Sequence, residues 1–361
     1  MSKYFLHKEF RWNGISFETK ESLFQFVEDH FPELITFIKE WFGDEGMIHC
    51  MTSGSTGAPK MISLGRQYMV NSAQATGAYF NLGAGTSALL CLPLGFIAGR
   101  MMLIRSMVLG WHLDSIEANS APEIPKNSSY DFSAMVPLQL HHCATNLDCI
   151  KTLIVGGGAV SKSLRGRIQN LQTKIYATYG MTETVSHVAL MPLNKSAGNS
   201  DHNNSFTGLK GVRFSVDQRQ CLCINAPDIA DQMIVTNDIV ELISDTRFIW
   251  IARYDNVINS GGVKLIPEVI ENKFSALING DFFVHSIPDE VLGEKLVIII
   301  ETTEHLLTLE DLMEFQEMNV SEISKYEVPK KIYFLDSFSK TETGKVNRKQ
   351  TMLQIDFPNK S

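Results

Sequence analysis

A loop rich in glycine and hydroxyl side chains, with one lysine at its end, follows residue 51. The residues that we assign to it are Thr52, Ser53, Gly54, Ser55, Thr56, Gly57 and Lys60. Glycine lets the backbone approach phosphate oxygens, hydroxyls and amides donate hydrogen bonds to them, and lysine supplies a positive charge. The loop therefore predicts a polyphosphate ligand, with ATP as the first to test. It lacks the Gly-Lys-Ser/Thr order of Walker ATPases, and by itself it also fits a solvated turn.

An aromatic ring, a hydroxyl and a carboxylate follow a strand pattern that begins at residue 174. They belong to Tyr179, Thr182 and Glu183, and Gly180 lies between them. Ligands of open α/β sheets collect at the carboxyl ends of the strands. Mg²⁺ prefers one or two carboxylates completed by phosphate oxygens. We therefore predict that Glu183 binds Mg²⁺, while a helix cap with an acid in its first turn is the alternative.

Three further segments suit a nucleotide ligand. Gly157 and Gly158 follow a strand pattern and would let a flat ligand approach the backbone, although a lone glycine run is a weak signal. Asp238 offers a carboxylate to ribose hydroxyls, while Asn-Asp is also an ordinary turn. Lys345 lies on a glycine turn near the C-terminus, where a solvated charge run is the alternative.

The elements that must position these residues follow from hydrophobic periodicity. Residues 20–42 carry apolar side chains at helical spacing, which predicts helices that pack into the core. From 47 to about 190, short apolar runs alternate with helical segments, and this alternation predicts an α/β layered domain. Residues 205–252 show short strands separated by turns, which predicts a β-rich subdomain.

The pattern changes again after Arg253, to a glycine-rich loop, helices and one long apolar strand. We therefore predict a large domain over 1–253 and a small, mobile α+β domain over 254–361. A hinge is expected at Asp255, where few residues must absorb a large backbone change.

Composition narrows the range of partners. The 361 residues carry a formal net charge of -8, so no basic field is available for nucleic acid. The six cysteines form no Cys-x-x-Cys pair, which favours buried thiols over a metal or redox site. The N-terminus lacks an apolar signal core and no apolar run reaches membrane-spanning length, so we expect a cytoplasmic protein with no integral membrane segment.

Taken in their order, these segments resemble the adenylate-forming superfamily of acyl-CoA synthetases, luciferases and peptide-synthetase adenylation domains. The resemblance runs from about residue 47 to residue 350. Its most specific pieces are Thr52–Lys60, Tyr179-Gly180-Met181-Thr182-Glu183, Asp238, Arg253-Tyr254-Asp255 with Ser260-Gly261-Gly262, and Thr343-Gly344-Lys345. Within the superfamily, Leu92-Pro93-Leu94, Val136-Pro137-Leu138 and the Gly156-Gly157-Gly158 run are similar to those of the o-succinylbenzoate-CoA ligases of menaquinone biosynthesis.

The resemblance implies two half-reactions. A carboxylate first attacks the α-phosphorus of ATP, giving acyl-AMP and pyrophosphate, and the thiol of coenzyme A then takes the acyl group. It also implies roles for single residues: the loop 52–60 on the β- and γ-phosphates, Thr182 on the α-phosphate, Glu183 on Mg²⁺, Tyr179 on adenine, and Asp238 and Arg253 on ribose. Lys345 would serve adenylation, and rotation about Asp255 would then bring Ser260, Gly261 and Gly262 to the pantetheine arm of coenzyme A.

The chain departs from the family pattern in several places. The phosphate loop is preceded by an abbreviated N-terminal part, so we expect that this lineage builds the site without the missing layer; a partner subunit or lost activity are the alternatives. Phe96 stands where many o-succinylbenzoate ligases have histidine, and Asn237 stands where glycine is usual. We predict Phe96, Arg100 and Gly180 in the acyl pocket, with Arg100 either the second cation for a dicarboxylate or a structural arginine. His187 is expected to be structural.

The function expected from the sequence is therefore ATP-dependent ligation of coenzyme A to a small carboxylic acid, with o-succinylbenzoate as the preferred acid. A ligase for another aryl or fatty acid and an adenylating enzyme that loads a carrier protein are the enzymatic alternatives. A catalytically silent nucleotide-binding protein is the third.

Overall fold

The computed structural model describes residues 5–51, 61–198, 204–304, 307–341 and 346–356. The whole predicted phosphate loop (Thr52, Ser53, Gly54, Ser55, Thr56, Gly57 and Lys60) and the predicted catalytic Lys345 lie outside the described residues.

The N-terminal segment packs against the large domain through aromatic side chains. It comprises β1 (Arg11–Trp12), β2 (Ile15–Ser16), α1 (Lys20–His30) and α2 (Ile35–Phe42). Trp12 is fully buried, stacks on Phe31 at a centroid distance of 4.5 Å, and donates its indole N–H to Ser115 Oγ at 3.0 Å. Phe26 and Trp41 are also buried, so the predicted apolar stripe over 20–42 is confirmed as core.

Alternating strands and helices follow, as the sequence predicts for a layered α/β domain. They are β3 (Met47–Met51), β4 (Met61–Gly65), α3 (Arg66–Phe80), β5 (Ser87–Leu90), α4 (Ile97–Leu109), β6 (His112–Ser115), β7 (Tyr130–Met135), α5 (Pro137–Cys143), β8 (Ile150–Val155), α6 (Lys162–Ile168), β9 (Lys174–Gly180) and β10 (His187–Pro192). Strands β5 to β9 pair in parallel in the order β6-β5-β7-β8-β9. Their carboxyl ends therefore meet at one edge of the sheet.

The predicted β-rich segment forms β11 (Ser205–Gly208), β12 (Arg213–Val216), β13 (Cys221–Asn225), β14 (Ile234–Ser244) and β15 (Arg247–Arg253). These strands are antiparallel and join the main sheet through β10 and β11. The 13-stranded sheet thus contains β1, β2 and β5 to β15, whereas β3 and β4 pair only with each other among the described strands. The prediction of short strands is confirmed. Their continuity with the parallel strands was not visible in the sequence, because it depends on the pairing of β11 with both β10 and β15.

The C-terminal part has its own sheet and its own apolar core. Its elements are β16 (Ile258–Ser260), β17 (Val263–Leu265), α7 (Pro267–Phe274), β18 (Phe282–Asp289), β19 (Gly293–Glu301), α8 (Leu309–Met318), β20 (Lys331–Leu335) and α9 (Arg348–Met352). Helix α8 ends at Asn319, which donates its side-chain amide to the Phe315 carbonyl at 2.7 Å. The mixed α/β class with a C-terminal α+β domain is confirmed. None of the described helices combines the length and apolar character that a membrane span requires.

Candidate active site

The carboxyl ends of β8 and β9 place two of the predicted glycines and the Thr182–Glu183 pair at the same sheet edge. A Cβ at Gly156 would lie 2.5 Å from Thr178 Oγ1 on β9, and Gly157 has a φ of +84°, so both positions require glycine. The turn that follows β9 also contacts β4, the strand that leaves the predicted phosphate loop. This edge therefore brings together the glycine run after β8, the Thr182–Glu183 turn and the strand β4 that follows the predicted phosphate loop.

Gly180 owes its identity to packing. A Cβ there would lie 2.3 Å from the Ser186 carbonyl oxygen, because β10 returns directly against the end of β9. Glycine at this position lets the chain reverse within a few residues. This observation gives Gly180 a structural role and leaves its predicted contact with ligands a prediction.

A strained turn separates β9 from β10. Thr182–Thr184 form one turn of 3-10 helix, and Val185 then adopts φ +63° and ψ -53°. The amide of Ser186 donates to the Thr184 carbonyl at 2.6 Å, which closes a γ-turn of the rare positive-φ kind. For a β-branched residue this conformation costs on the order of 1–3 kcal/mol. Backbone strain of this size is typical of active sites and ligand-binding sites, where a side chain must be held in a fixed orientation.

Glu183 is exposed on this turn, and within the described part of the chain its carboxylate has no hydrogen bond or ion pair. No group of three metal-ligating side chains that could hold a metal ion occurs among the described residues. A single free carboxylate fits a magnesium ion that arrives with phosphate oxygens better than a site built by protein alone.

Asp238 is a buried carboxylate held by three donors. Its side chain is 7% exposed and accepts from the Tyr179 hydroxyl at 2.6 Å and from the Trp250 indole at 3.1 Å. The Arg253 guanidinium lies 3.4 Å from the same carboxylate. The structure thus brings together Tyr179, Asp238 and Arg253, all predicted from sequence, and adds Trp250, which was not.

Tyr179 makes a contact with Asp238 that the sequence did not predict. Burial and the neighbouring Asp238 carboxylate raise the pKa of its hydroxyl far above the ordinary value, so the hydroxyl stays protonated and donates. Its ring packs edge-on against Phe248, at a centroid distance of 5.0 Å. The described contacts give Tyr179 a role in holding Asp238, and stacking on adenine stays a prediction.

Arg253 also contacts the predicted hinge. One of its terminal nitrogens lies 3.2 Å from Asp255 Oδ2, while the other faces Asp238. Residues Tyr254–Asn256 form a single 3-10 turn between β15 and β16. The residues predicted for coenzyme A lie further on, in the β16–β17 hairpin, where Gly261 and Gly262 have φ values of +56° and +82°. The described contacts do not place this hairpin at the β8–β9 edge.

Arg100, the predicted second cation, is engaged by the protein itself. It donates to the Leu94 and His49 carbonyls at 3.1 and 2.9 Å, and its guanidinium lies 4.9 Å from the centre of the Phe37 ring. Phe96 caps the same helix at its N-terminus and is half-buried. These contacts fit the structural alternative for Arg100, and its contact with substrate stays a prediction.

Arg105, five positions along α4, is the buried cation that sequence reasoning passed over. It is 2% exposed, donates to Thr76 Oγ1 at 3.2 Å, and contacts the Ser186 hydroxyl, which lies just beyond the strained Val185. No carboxylate lies within ion-pair distance of it among the described residues. Burial lowers its pKa to about 10, which leaves it charged at neutral pH. The mostly apolar sequence of α4 indicates a buried helix, but it does not distinguish Arg105 from Arg100, which is only half-buried.

His187 completes this buried group. Burial, and secondarily the positive charge of Arg105, lower the pKa of His187 well below its ordinary value. Its Nδ1 lies 3.3 Å from the Ser186 hydroxyl, and its Nε2 is buried without a hydrogen-bond partner in the described structure. A neutral, buried imidazole fits the structural role that the sequence predicts.

The fold is that of the adenylate-forming class of enzymes, and comparison with known proteins identifies the family. Residues 37–209 match the AMP-binding enzyme family and residues 280–345 match the AMP-binding enzyme C-terminal domain. The solved structure of an acyl-CoA synthetase (AMP-forming)/AMP-acid ligase II-like protein from Dyadobacter fermentans is 38% identical, with a TM-score of 0.60 over 93% of this chain and 98% of that chain. The chain belongs to the AMP-binding enzyme family and is an AMP-forming acyl-CoA ligase.

More distant relatives carry a narrower name. The 2-succinylbenzoate–CoA ligase of Listeria monocytogenes is 25% identical over 82% of this chain and 68% of its own length. That of Geobacillus is 24% identical over 88% of this chain and 71% of its own length. The solved structure of an O-succinylbenzoate coenzyme A synthetase from Bacillus subtilis, in complex with ATP and magnesium ion, is 17% identical with a TM-score of 0.70 over 84% of this chain and 69% of that chain. This last likeness shows a shared fold.

The buried His187 generates a prediction about pH. An unfolded histidine titrates near pH 6.5, whereas His187 stays neutral in the native state to lower pH. Below about pH 6.5 the unfolded state therefore binds the extra proton, and the free energy of unfolding falls by at most about 1.4 kcal/mol per pH unit from this group. We expect His187→Gln to flatten this fall between pH 7.5 and 5.5 in urea unfolding. The exposed His142→Gln is the matched control, and parallel pH curves for wild type and His187→Gln would contradict the prediction.

Proposed function

We propose that this ligase converts o-succinylbenzoate to o-succinylbenzoyl-CoA, a step of menaquinone biosynthesis. The observation that carries the proposal is the buried guanidinium of Arg105, which no carboxylate among the described residues compensates. The names of the curated relatives support the same acid.

The argument from Arg105 is one of charge. A buried ion costs several kcal/mol unless an opposite charge or enough hydrogen bonds compensate it. Hydroxyl oxygens of Thr76 and Ser186 accept from two of its donors, but they carry no charge. o-Succinylbenzoate has two carboxylates, so one is activated while the other remains an anion that the site must bind. A planar guanidinium binds a carboxylate through two parallel hydrogen bonds, and Arg105 lies close to the Thr182–Glu183 turn.

For the nucleotide, we assign the loop 52–60 to the β- and γ-phosphates and Thr182 to the α-phosphate. Glu183 is the residue that would hold Mg²⁺, which would neutralise phosphate charge and orient the triphosphate. Gly157, Gly158, Gly180 and Tyr179 line the adenine side in this proposal. Asp238 and Arg253 face the ribose, where the carboxylate accepts hydrogen bonds from the sugar hydroxyls.

The reaction then proceeds in two steps. A carboxylate oxygen of the acid forms a bond to the α-phosphorus of ATP as the bond to the pyrophosphate oxygen breaks. The sulfur of coenzyme A next attacks the acyl carbon and AMP leaves. We assign Lys345 to the first step, where a cation offsets the repulsion between two anionic reactants. Ser260, Gly261 and Gly262 are assigned to the pantetheine arm in the second step, after rotation about Asp255.

The decisive experiment measures pyrophosphate release with Mg-ATP and o-succinylbenzoate, followed by mass detection of the thioester once coenzyme A is added. We expect both products. Pyrophosphate with another aryl or fatty acid, but none with o-succinylbenzoate, would overturn the substrate assignment. A thioester formed only on carrier-protein pantetheine would overturn the use of coenzyme A, and nucleotide binding without pyrophosphate from any acid in a panel would indicate a silent relative.

Arg105→Met tests the second carboxylate directly. The variant keeps an unbranched side chain and removes the charge, and 3-benzoylpropanoate is o-succinylbenzoate without its ring carboxylate. Because a hydrogen bond to a charged group contributes about 1.5–3 kcal/mol, we expect kcat/KM for o-succinylbenzoate to fall roughly 10- to 150-fold, with little change for 3-benzoylpropanoate. Arg100→Met is the matched control. If Arg100→Met, and not Arg105→Met, loses the preference for o-succinylbenzoate over 3-benzoylpropanoate, the second cation is Arg100.

Trp250→Phe tests the assignment of Asp238 to ribose. The substitution keeps an aromatic ring and removes the indole donor that lies 3.1 Å from Asp238 Oδ1. With one donor fewer, the carboxylate is held less firmly, and we expect ATP affinity measured by calorimetry to fall about three- to tenfold. Trp12→Phe removes an indole donor that is bonded to Ser115 in the N-terminal segment, and it should bind ATP as the wild type does. Equal affinities for wild type and Trp250→Phe would contradict the assignment.

A further inference from the structure

Tyr254 and Asp255 begin the linker that joins the 13-stranded sheet to the C-terminal sheet. Side chains of the β-rich strands β12 to β14 and their turns contact both residues. Asn237 on β14 donates its side-chain amide to both carboxylate oxygens of Asp255, at 3.2 and 3.3 Å. The Asn237 side-chain oxygen in turn accepts from Arg219 Nη1 at 3.0 Å. Asn237 therefore links the turn that carries Arg219 to the predicted pivot.

Arg219 is itself fixed by several contacts. It lies in the turn between β12 and β13, where its Nε donates to Asp217 Oδ2 at 2.8 Å. Its Nη2 donates to the Thr236 carbonyl at 3.2 Å, and its guanidinium lies 5.1 Å from the centre of the Tyr254 ring. Arg219 thus contacts Tyr254 directly and Asp255 through Asn237.

Asp217 supplies a firm base for this arrangement. Its Oδ1 accepts from the backbone amides of Cys221 and Arg219, at 2.9 and 2.8 Å. These amides, the Cys221 amide first, and the Arg219 side chain hold the pKa of Asp217 below its ordinary range. The carboxylate is therefore ionised at neutral pH, and the Arg219 side chain has a fixed partner on the large domain.

The geometry points to a latch: we propose that Asn237 and Arg219 are positioning residues that hold Asp255 and Tyr254 in the arrangement seen here and so set the balance between the two half-reactions. The inference rests on the proposed function in taking Asp255 as the pivot. Neither residue touches the β8–β9 edge in the described contacts, so each acts through the linker.

Rotation about Asp255 must break these contacts, because Asn237 and Arg219 belong to the large domain and move away from a turning linker. The Asp255 side chain is 43% exposed and that of Arg219 is 37% exposed, so water competes for the same hydrogen bonds. Exposed contacts of this kind are individually weak. Contacts of this strength break readily, so they shift the equilibrium between the two linker positions without preventing rotation. A pivot that rotates in every catalytic cycle requires such a balance.

The test uses variants that differ in the group placed next to the Asp255 carboxylate. Asn237→Ala removes the amide donor, whereas Asn237→Asp places a carboxylate of the same shape against the carboxylate of Asp255. The double variant Asn237→Asp, Asp255→Asn restores an amide and a carboxylate with their positions exchanged. Arg213→Ala is the matched control for Arg219→Ala, because Arg213 pairs with Asp245 at 3.0 Å, likewise exposed and in the same group of strands, away from the linker.

The first measurement is hydrogen–deuterium exchange of a peptide spanning residues 253–258, without substrates. We expect about three- to tenfold faster exchange in Asn237→Ala and Arg219→Ala, faster still in Asn237→Asp, and wild-type exchange in Arg213→Ala and largely in the double variant. Unchanged exchange in both Asn237→Ala and Arg219→Ala would overturn the latch, whatever acid the enzyme uses.

The second measurement compares ATP–pyrophosphate exchange with thioester formation from supplied acyl-adenylate, using an acid for which the wild type releases pyrophosphate. We expect the ratio of the two rates to change about three- to tenfold in Asn237→Ala, and the double variant to recover most of the wild-type ratio. Equal loss in both half-reactions would overturn the positioning role even where exchange is faster. Failure of o-succinylbenzoate with the wild type would overturn the substrate assignment alone, because another acid can then serve.

Discussion

The buried carboxylate of Asp238 is the interaction on which the join between the parallel strands and the antiparallel strands of the candidate site depends. A charge with so little exposure requires donors, and the structure supplies them from β9, as the Tyr179 hydroxyl, and from β15, as the Trp250 indole and the Arg253 guanidinium. Those strands lie on either side of β10 and β11 in the sheet order. One carboxylate therefore joins the end of the parallel strands to the antiparallel extension, and Arg253 carries the connection on to the linker at Asp255.

The two buried charges of the site differ in how far the protein has compensated them. Asp238 has three donors in contact, whereas Arg105 has hydroxyl oxygens and no carboxylate among the described residues. A compensated charge adds rigidity, and an uncompensated one is costly until an ion of opposite sign arrives. This contrast is why Arg105, and not Asp238, indicates the charge of the group that the site would bind.

The sequence predicted the elements of the site better than their contacts. Apolar runs located β8 and β9, and the rule that ligands collect at strand ends drew attention to the segments that follow them, with Gly157 and Glu183. Arg100 and Arg105 show that the sequence does not give the contacts of single side chains. They are five positions apart on α4 and so point about 140° apart around the helix axis, into different surroundings. Only the packing of α4 shows that the first is bound by backbone carbonyls and the second is enclosed. Likewise, the contact between Tyr179 and Asp238 spans 59 positions and follows from sheet order, which no local pattern encodes.

The strained turn at Val185 fixes the positions of Glu183 and Ser186 relative to each other. Glu183 lies before it, exposed and free within the described structure, and Ser186 lies after it, in contact with the buried Arg105. A relaxed turn would aim the two side chains differently, because only the positive φ of Val185 brings the chain back against Gly180 in so few residues. The pairing of β9 with β10 and the buried hydroxyl of Thr184, which accepts from the Met181 amide at 2.8 Å, offset the strain. A single turn therefore fixes the direction of the exposed Glu183 carboxylate and of the Ser186 hydroxyl that contacts the buried Arg105 guanidinium.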